Sequence, residues 1–227
     1  MELDETLRST PAIRRFTSEP IEDETIAEIL DVARFAPSGG NRQGWHVIVL
    51  KDPEIRSRVR DLYVTGWHAY QRTIAAQLAP YAPGGSPSTD DAARERARGQ
   101  QSDGLDEFAT GLAELPALLL VLADLGCFAM VDQDLDRYSF AGGASIYPFC
   151  WNILLAARSR GIGGVMTTMS VVEEAAMREL LEIPDDFAIA TLLVMGRPVG
   201  WPTTLRRLGV EQFTSTDRFG ERPLHRP

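Results

Sequence analysis

Apolar residues recur at helical spacing in Ile26, Ile29, Leu30 and Ala33, directly after the acidic run Glu22, Asp23 and Glu24. The combination predicts a helix over residues 22–36, with its carboxylates at the end where the helix dipole favours negative charge. Pro37 ends it, and Ser38-Gly39-Gly40-Asn41-Arg42-Gln43-Gly44 follows as a loop of small and amide residues. The apolar run Trp45–Leu50 then predicts a strand. Ile55, Val59, Leu62, Tyr63, Trp67, Tyr70, Ile74 and Leu78 form one stripe over residues 54–79, the pattern of a long helix. Residues 115–125 and 188–196 read as buried strands and residues 151–160 as a helix. Ser170 and Glu173 have capping-box spacing, so a further helix is expected to begin there. Between these elements, residues 80–104 are rich in Pro, Gly, Ser and charge, which suggests a mobile lid or an insertion. No repeat or heptad pattern interrupts this order, and residues 1–227 are expected to form a single α+β domain.

Composition narrows the classes of function. Residues 138–157 carry no formal charge and reach the length of a membrane span, about 20 residues, yet they include Ser139, Ser145, Pro148 and Asn152. They are read as a buried helix with a glycine-containing lead-in, so no membrane association is expected. The opening Met1-Glu2-Leu3-Asp4-Glu5-Thr6 is acidic where a secretory signal is basic and then apolar, which gives the expectation of a cytoplasmic protein. With 23 basic and 32 acidic residues the formal charge is -9, and no nucleic-acid partner is expected because phosphate affinity rests on Lys and Arg. Lys51 is the single lysine and sits in a turn-like Lys51-Asp52-Pro53, which disfavours Schiff-base and P-loop chemistry.

Cys127 and Cys150 lie far apart in apolar surroundings and read as structural thiols. His46, His68 and His225 show no ligand spacing, so no metal is expected. Asp132, Asp134 and Asp136 imitate the start of a calcium loop, but Arg137 and Gly143 stand where Gly and Glu are needed, and a solvated acidic loop is the better reading. The dinucleotide fingerprint fails at Met166, and no Gly-x-Ser-x-Gly elbow is present.

Four features remain as candidate chemistry. Arg14-Arg15 and Arg206-Arg207 suit either a forked phosphate clamp or surface ion pairs. The Ser38–Gln43 loop suits either a flat ligand approached by backbone or a plain helix-to-strand turn. The stretch from Gly161 to Met169 is either a cluster of backbone donors at a helix start or a simple connection. Tyr63, Trp67 and Tyr70 are either core packing or substrate contacts.

In this order the segments resemble the FMN-dependent nitroreductase family. Thr10-Pro11-Ala12-Ile13-Arg14-Arg15-Phe16 is similar to the family's opening Arg-Arg-Ser-x-Arg-x-Phe, and Ala36-Pro37-Ser38-Gly39-Gly40-Asn41-Arg42-Gln43-Gly44-Trp45 to its Ala-Pro-Ser-x-x-Asn-x-Gln-Pro-Trp. Asn152 to Ala157 running to Gly161-Ile162-Gly163, with Thr167-Thr168 after it, resembles a later helix and its exit; Gly196-Arg197-Pro198 with Arg206-Arg207 resembles the closing turn and basic tail. The chain departs from the pattern at Thr10-Pro11-Ala12, where part of the usual phosphate grip is missing, and at Gly44, which replaces Pro.

The resemblance implies a mixed sheet flanked by helices in an intertwined homodimer, with two FMN molecules at the interface and the C-terminal tail wrapped around the other protomer. It implies that Arg14, Arg15, Ser38, Gly39, Asn41, Gln43, Met166, Thr167, Thr168, Arg206 and Arg207 bind FMN. Gly40, Trp67 and Tyr70 are expected to meet the substrate. NAD(P)H is the implied electron donor and a nitroaromatic or quinone the implied acceptor, with no catalytic side chain beyond the flavin. Flavin sequestration without turnover, and cleavage or dehalogenation of the ligand, are the alternatives.

Overall fold

The computed structural model describes residues 1–75 and 105–225, so the expected lid at 80–104 lies outside the described residues. Strands β1 (Trp45–Leu50), β2 (Ala117–Asp124), β3 (Gly163–Thr167) and β4 (Phe187–Gly196) form one sheet in the order β1-β2-β4-β3. All three pairings are antiparallel, and a parallel bridge between Ala12 and Gly164 adds the N-terminal segment to the β3 edge. The helices are α1 (Leu3–Arg8), α2 (Asp23–Ala33), α3 (Pro53–Ala75), α4 (Leu105–Thr110), α5 (Tyr147–Ser159) and α6 (Glu174–Leu180).

The central strands are buried on both faces because, apart from Thr191, the interior positions of β2 and β4 are apolar. Leu119, Val121, Leu193 and Met195 pack with Ile29 of α2 and Phe149 and Ile153 of α5. Leu118, Leu120, Leu122, Leu192 and Val194 pack on the opposite side with Val59, Tyr63 and Trp67 of α3, Phe108 of α4 and Met177 of α6. These are the two faces of a pleated sheet with period two.

The pattern-based expectations hold for β1, and within a few residues for β2, β4 and α2. α5 starts at Tyr147 instead of 151, because Pro148 fits the first turn of a helix, where its missing N–H costs nothing. A 3-10 turn over Ala141–Ser145 leads into it. Residues 163–167 form an edge strand where a Gly-rich connection was one reading. Gly164 permits that strand to lie flush: a Cβ there would sit 2.7 Å from Leu154 and 2.9 Å from the Val194 carbonyl.

Two expectations are corrected. The capping box at Ser170 and Glu173 does not form. Met169–Val171 is a 3-10 turn, α6 begins at Glu174, and the fully buried Ser170 Oγ has no hydrogen-bond partner among the described residues. The turn is pressed against α3, where a Cβ on Gly66 would come within 2.7 Å of the Met169 carbonyl oxygen, and this packing overrides the local cap. Asp132 is not solvated: it is buried and accepts from the Phe140 N–H at 2.9 Å, the Ser139 hydroxyl at 2.7 Å and Arg137 at 2.7 Å. Those donors hold its carboxyl well below the usual carboxylate range and gather the loop that leads to α5.

Cys150 is buried, which pushes its thiol up to about 12, and Cys127 is half-buried with its thiol donating to Asp124. Among the described residues no helix is long and apolar enough to cross a membrane, and no cluster of His, Cys, Asp and Glu is arranged to hold a metal ion.

Candidate functional site

The N-terminal segment builds the first part of the site. The Thr10 hydroxyl donates to the Thr6 carbonyl at 2.7 Å and is buried, so a residue that departs from the family's arginine serves to close α1. Three residues on, the Ile13 N–H donates to the Gly164 carbonyl at 2.9 Å. The Val199 N–H donates to the Arg15 carbonyl, and the Thr17 N–H to the Arg197 carbonyl. Arg14 lies between these anchors, exposed, with no carboxylate partner among the described residues. Its charge acts on Tyr63 of α3, whose hydroxyl is 2.9 Å from Thr167 Oγ1 at the end of β3.

Thr167 is fixed from a second side. A β-bulge in the β2–β4 ladder falls between Val121 and Leu122, opposite Ala190 and Thr191. There the buried Thr191 hydroxyl donates to the Thr167 carbonyl at 2.8 Å. Thr168 is exposed and begins the 3-10 turn, whose first N–H groups have no acceptor within the turn. Met166 points its side chain toward the α2 and α5 layer, which leaves only its backbone to serve a ligand at the edge.

The second part of the site is the loop after α2. Gly40, Asn41 and Gln43 have φ of 62°, 54° and 52°, a left-handed conformation that non-glycine residues adopt at a cost and that clusters at ligand sites. The loop is held by the Gln43 N–H on Ser38 Oγ (3.0 Å), the Asn41 N–H on the Ser38 carbonyl (2.9 Å) and the Gly39 N–H on Ser145 Oγ (3.0 Å). Ser38 Oγ is used as an acceptor, so its own hydrogen is free to be donated. The Asn41 side-chain amide is exposed and enters none of these bonds. Ser145→Ala leaves the Gly39 N–H without its acceptor and is expected to cost about 1 kcal/mol of stability, read as a lower urea midpoint.

Within one chain the two parts do not meet. The loop precedes β1 and Thr167 ends β3, and these are the two edge strands of the sheet. Three strand spacings separate them, about 14 Å. The structure therefore brings Arg14 and Thr167 together, and places Ser38, Gly39, Gly40, Asn41 and Gln43 on the opposite edge.

Of the aromatic stripe, Tyr63 and Trp67 are 3% and 8% exposed and belong to the core layer of α3. Trp67 Nε1 donates to Asp106 Oδ1 at 2.6 Å, and Tyr70 stacks on its ring at 5.3 Å. Half-buried Tyr70 is thus the member of the expected substrate pair with more surface left to offer. Arg206 and Arg207 lie exposed in the tail, where Arg207 donates to the Arg206 carbonyl; no ion pair or hydrogen bond ties either to β3. Before them, Trp201 lies 3.7 Å beneath the guanidinium of Arg158, which also donates to the Ser9 carbonyl. Val199, Leu208, Phe213, Phe219 and Leu224 of the tail are exposed, and a cleft of about 440 Å³ opens between α2 and β1 beside Leu30, Arg34, Trp45 and Phe149.

Ser145 and Thr191 are not singled out by the sequence as site residues, and Tyr63 is singled out only for its ring, as core packing or a substrate contact, not for its hydroxyl. Thr191 had one signal: it is the only hydroxyl in the apolar run of β4.

The structure defines an α+β protein whose helix-flanked sheet carries on one edge an arginine without a carboxylate partner among the described residues and fixed hydroxyls, and on the other an amide-rich strained loop, donor groups that can meet an electron-rich ligand edge. The chain belongs to the nitroreductase family, whose sequence profile it matches over residues 7–197. It is 24% identical over 226 residues to a nitrobenzene nitroreductase of Ectopseudomonas oleovorans, covering 94% of this chain and 96% of that one. Its fold is similar to an NADPH:FMN oxidoreductase of Vibrio harveyi complexed with NAD+, with a TM-score of 0.66, 21% identity, and 96% and 78% of the two chains covered. It is also similar to an iodotyrosine deiodinase bound to FMN and 3-iodo-L-tyrosine, with a TM-score of 0.69, 21% identity, and 96% and 100% covered.

Proposed function

We propose that this chain is an FMN-dependent NAD(P)H oxidoreductase that works as a homodimer and reduces a flat, electron-poor acceptor such as a nitroaromatic or a quinone. The observation that carries this reading is the exposed Arg14, free of carboxylate partners among the described residues and anchored by backbone pairing beside Thr167 on the β3 edge. A fixed cation and hydroxyl donors suit the electron-rich edge of a flavin ring. The donor set also fits the rest of FMN: Ser38, Asn41 and Gln43 would hold the polar chain and ring edge together with the backbone at Gly39, and Arg15, Arg206 and Arg207 would meet the phosphate.

Bound FMN supplies hydride transfer between the nicotinamide and the acceptor. The chain's own residues bind and orient. Arg14 favours negative charge on its ligand, the backbone at Met166 and the N–H groups after Thr168 present donors, and no side chain of the described site is assigned to move a proton. Gly40 and the Tyr70 ring backed by Trp67 are proposed to shape the acceptor's place.

Homodimer formation is supported by the separation of the two parts on opposite sheet edges, because a second copy can bring its Ser38–Gln43 loop to the β3 edge of the first. It is supported further by the exposed apolar tail and the uncovered cleft beside Trp45 and Phe149, since surfaces of this kind mark association sites.

The test is an absorbance spectrum of the purified protein, followed by anaerobic addition of NADPH and then NADH, with the oligomeric state measured by light scattering. A yellow dimer whose flavin band bleaches and recovers on adding a nitroaromatic or quinone is expected. A flavin that neither nucleotide reduces points to sequestration, product from a halogenated phenol points to dehalogenation, and a protein that cannot be reconstituted with FMN overturns the reading.

A further inference from the structure

We infer that Tyr63 is a positioning residue that turns the Thr167 hydroxyl into a fixed hydrogen-bond donor toward the bound cofactor. The inference rests on the flavin reading above, and goes beyond it by giving a role to a side chain that otherwise reads as core.

Tyr63 OH and Thr167 Oγ1 lie 2.9 Å apart, and each oxygen owns one hydrogen. Only one of the two can donate within the pair, and the other hydrogen must point away. A phenol (pKa about 10) is a stronger hydrogen-bond donor than an aliphatic hydroxyl, which makes Tyr63 the better donor of the pair, and the Arg14 charge is a lesser influence in the same direction. Burial acts in the other sense on ionisation: desolvation raises the Tyr63 pKa, so the phenol stays protonated and able to donate throughout the neutral range. With Tyr63 donating, Thr167 Oγ1 is an acceptor toward α3 and its own hydrogen is committed to a group outside the pair.

Three contacts keep this orientation from relaxing. Thr191 Oγ1 holds the Thr167 carbonyl at 2.8 Å, so the backbone of Thr167 does not rotate. The Phe108 ring meets Tyr63 edge-on, with centroids 6.3 Å apart. One turn along α3, Gly66 lets the helix lie against the Met169 carbonyl with no room for a side chain between them, which fixes the height of Tyr63 relative to the turn that follows Thr167. The pair thus ends in a Thr167 hydrogen that points outward, a donor suited to an acceptor atom that gains electron density on reduction.

The experiment compares wild type, Tyr63→Phe, Thr167→Val, Thr167→Ser and the Tyr63→Phe/Thr167→Val double variant. FMN affinity is measured by fluorescence titration of the apoprotein, and the midpoint potential of the bound flavin by anaerobic spectral titration. Tyr63→Phe keeps the buried ring, and is expected to lower the preference for reduced over oxidised flavin about three- to tenfold, tenfold being about 30 mV for a two-electron couple. Thr167→Val is expected to match or exceed it, the double variant to equal Thr167→Val, and Thr167→Ser to retain the wild-type potential. An unshifted potential in Tyr63→Phe, or effects that add in full in the double variant, overturns the inference while leaving the flavin reading standing. Should Tyr63→Phe fail to fold, equal potentials in Thr167→Val and Thr167→Ser overturn it instead. A wild type that binds no FMN overturns the flavin reading and this inference together.

Discussion

Arg14→Ala is expected to weaken FMN binding about 10- to 100-fold, the loss of one charge-assisted hydrogen-bonding group at about 1.5–3 kcal/mol. The expectation follows from how the residue is held. Its neighbours Ile13 and Arg15 are pinned by backbone bonds to Gly164 and Val199, while its side chain is exposed and free of carboxylates among the described residues. An arginine placed this way contributes little to folding, so the melting temperature is expected to stay close to wild type while affinity falls. Arg14→Lys keeps the charge but loses the planar fork, and should recover only part of the binding. Fluorescence titration of the apoprotein with FMN measures both. Wild-type affinity in Arg14→Ala would place the cofactor away from the β3 edge.

Gly164→Ala is expected to act on the same edge through packing. The added methyl would sit 2.7 Å from Leu154 Cδ2, 2.9 Å from the Val194 carbonyl oxygen and 3.0 Å from Met195 Cγ. Leu154 can shift, but the carbonyl belongs to the central strand β4 and cannot move without disturbing the ladder that joins it to β2 and β3. Overpacking of this kind costs about 1–3 kcal/mol, which for a domain of this size is a fall of several degrees in Tm. Because Gly164 also accepts from the Ile13 N–H, the displacement should reach Arg14, and FMN affinity is expected to fall with stability. A melting curve and a titration on the same variant check both; loss of stability at unchanged affinity would mean that the Ile13 pairing does not set the position of Arg14.

Much of the architecture was legible in local patterns. Trp45–Leu50 was readable as a strand because a short apolar run after a loop of small residues has few other uses. The two central strands were readable for the same reason, being buried on both faces. β3 was not, since Gly163-Gly164 has little strand propensity and is extended only because the N-terminal segment, α5 and Pro198 crowd against it and admit no side chain. The Ser170 and Glu173 spacing suggested a local cap that the contact between α3 and the Met169–Val171 turn displaced. Asp132 resembled its solvated neighbours Asp134 and Asp136, and only the fold of residues 137–141 around it distinguishes a buried hub from a surface charge.

The candidate site divides in the same way. Arg14, the Ser38–Gln43 loop and Thr167 could be named as candidates because residue type left them open to ligand chemistry and the family resemblance then singled them out. Their grouping could not. Arg14 and Thr167 share an edge because Ile13 pairs with Gly164, and the loop stands about 14 Å away on the other edge because β1 and β3 flank the sheet. Nor could sequence separate Tyr63 from Trp67, two aromatic residues on one helical stripe: one ends on the Thr167 hydroxyl and the other on Asp106. By itself the sequence determined most element types, β3 excepted, together with the class of chemistry and the family resemblance, since these depend on near-neighbour periodicity and side-chain identity. Tertiary structure alone decided which donors face one another and which polar groups are buried, because those depend on contacts between residues some 100 positions apart, as Tyr63 and Thr167 are.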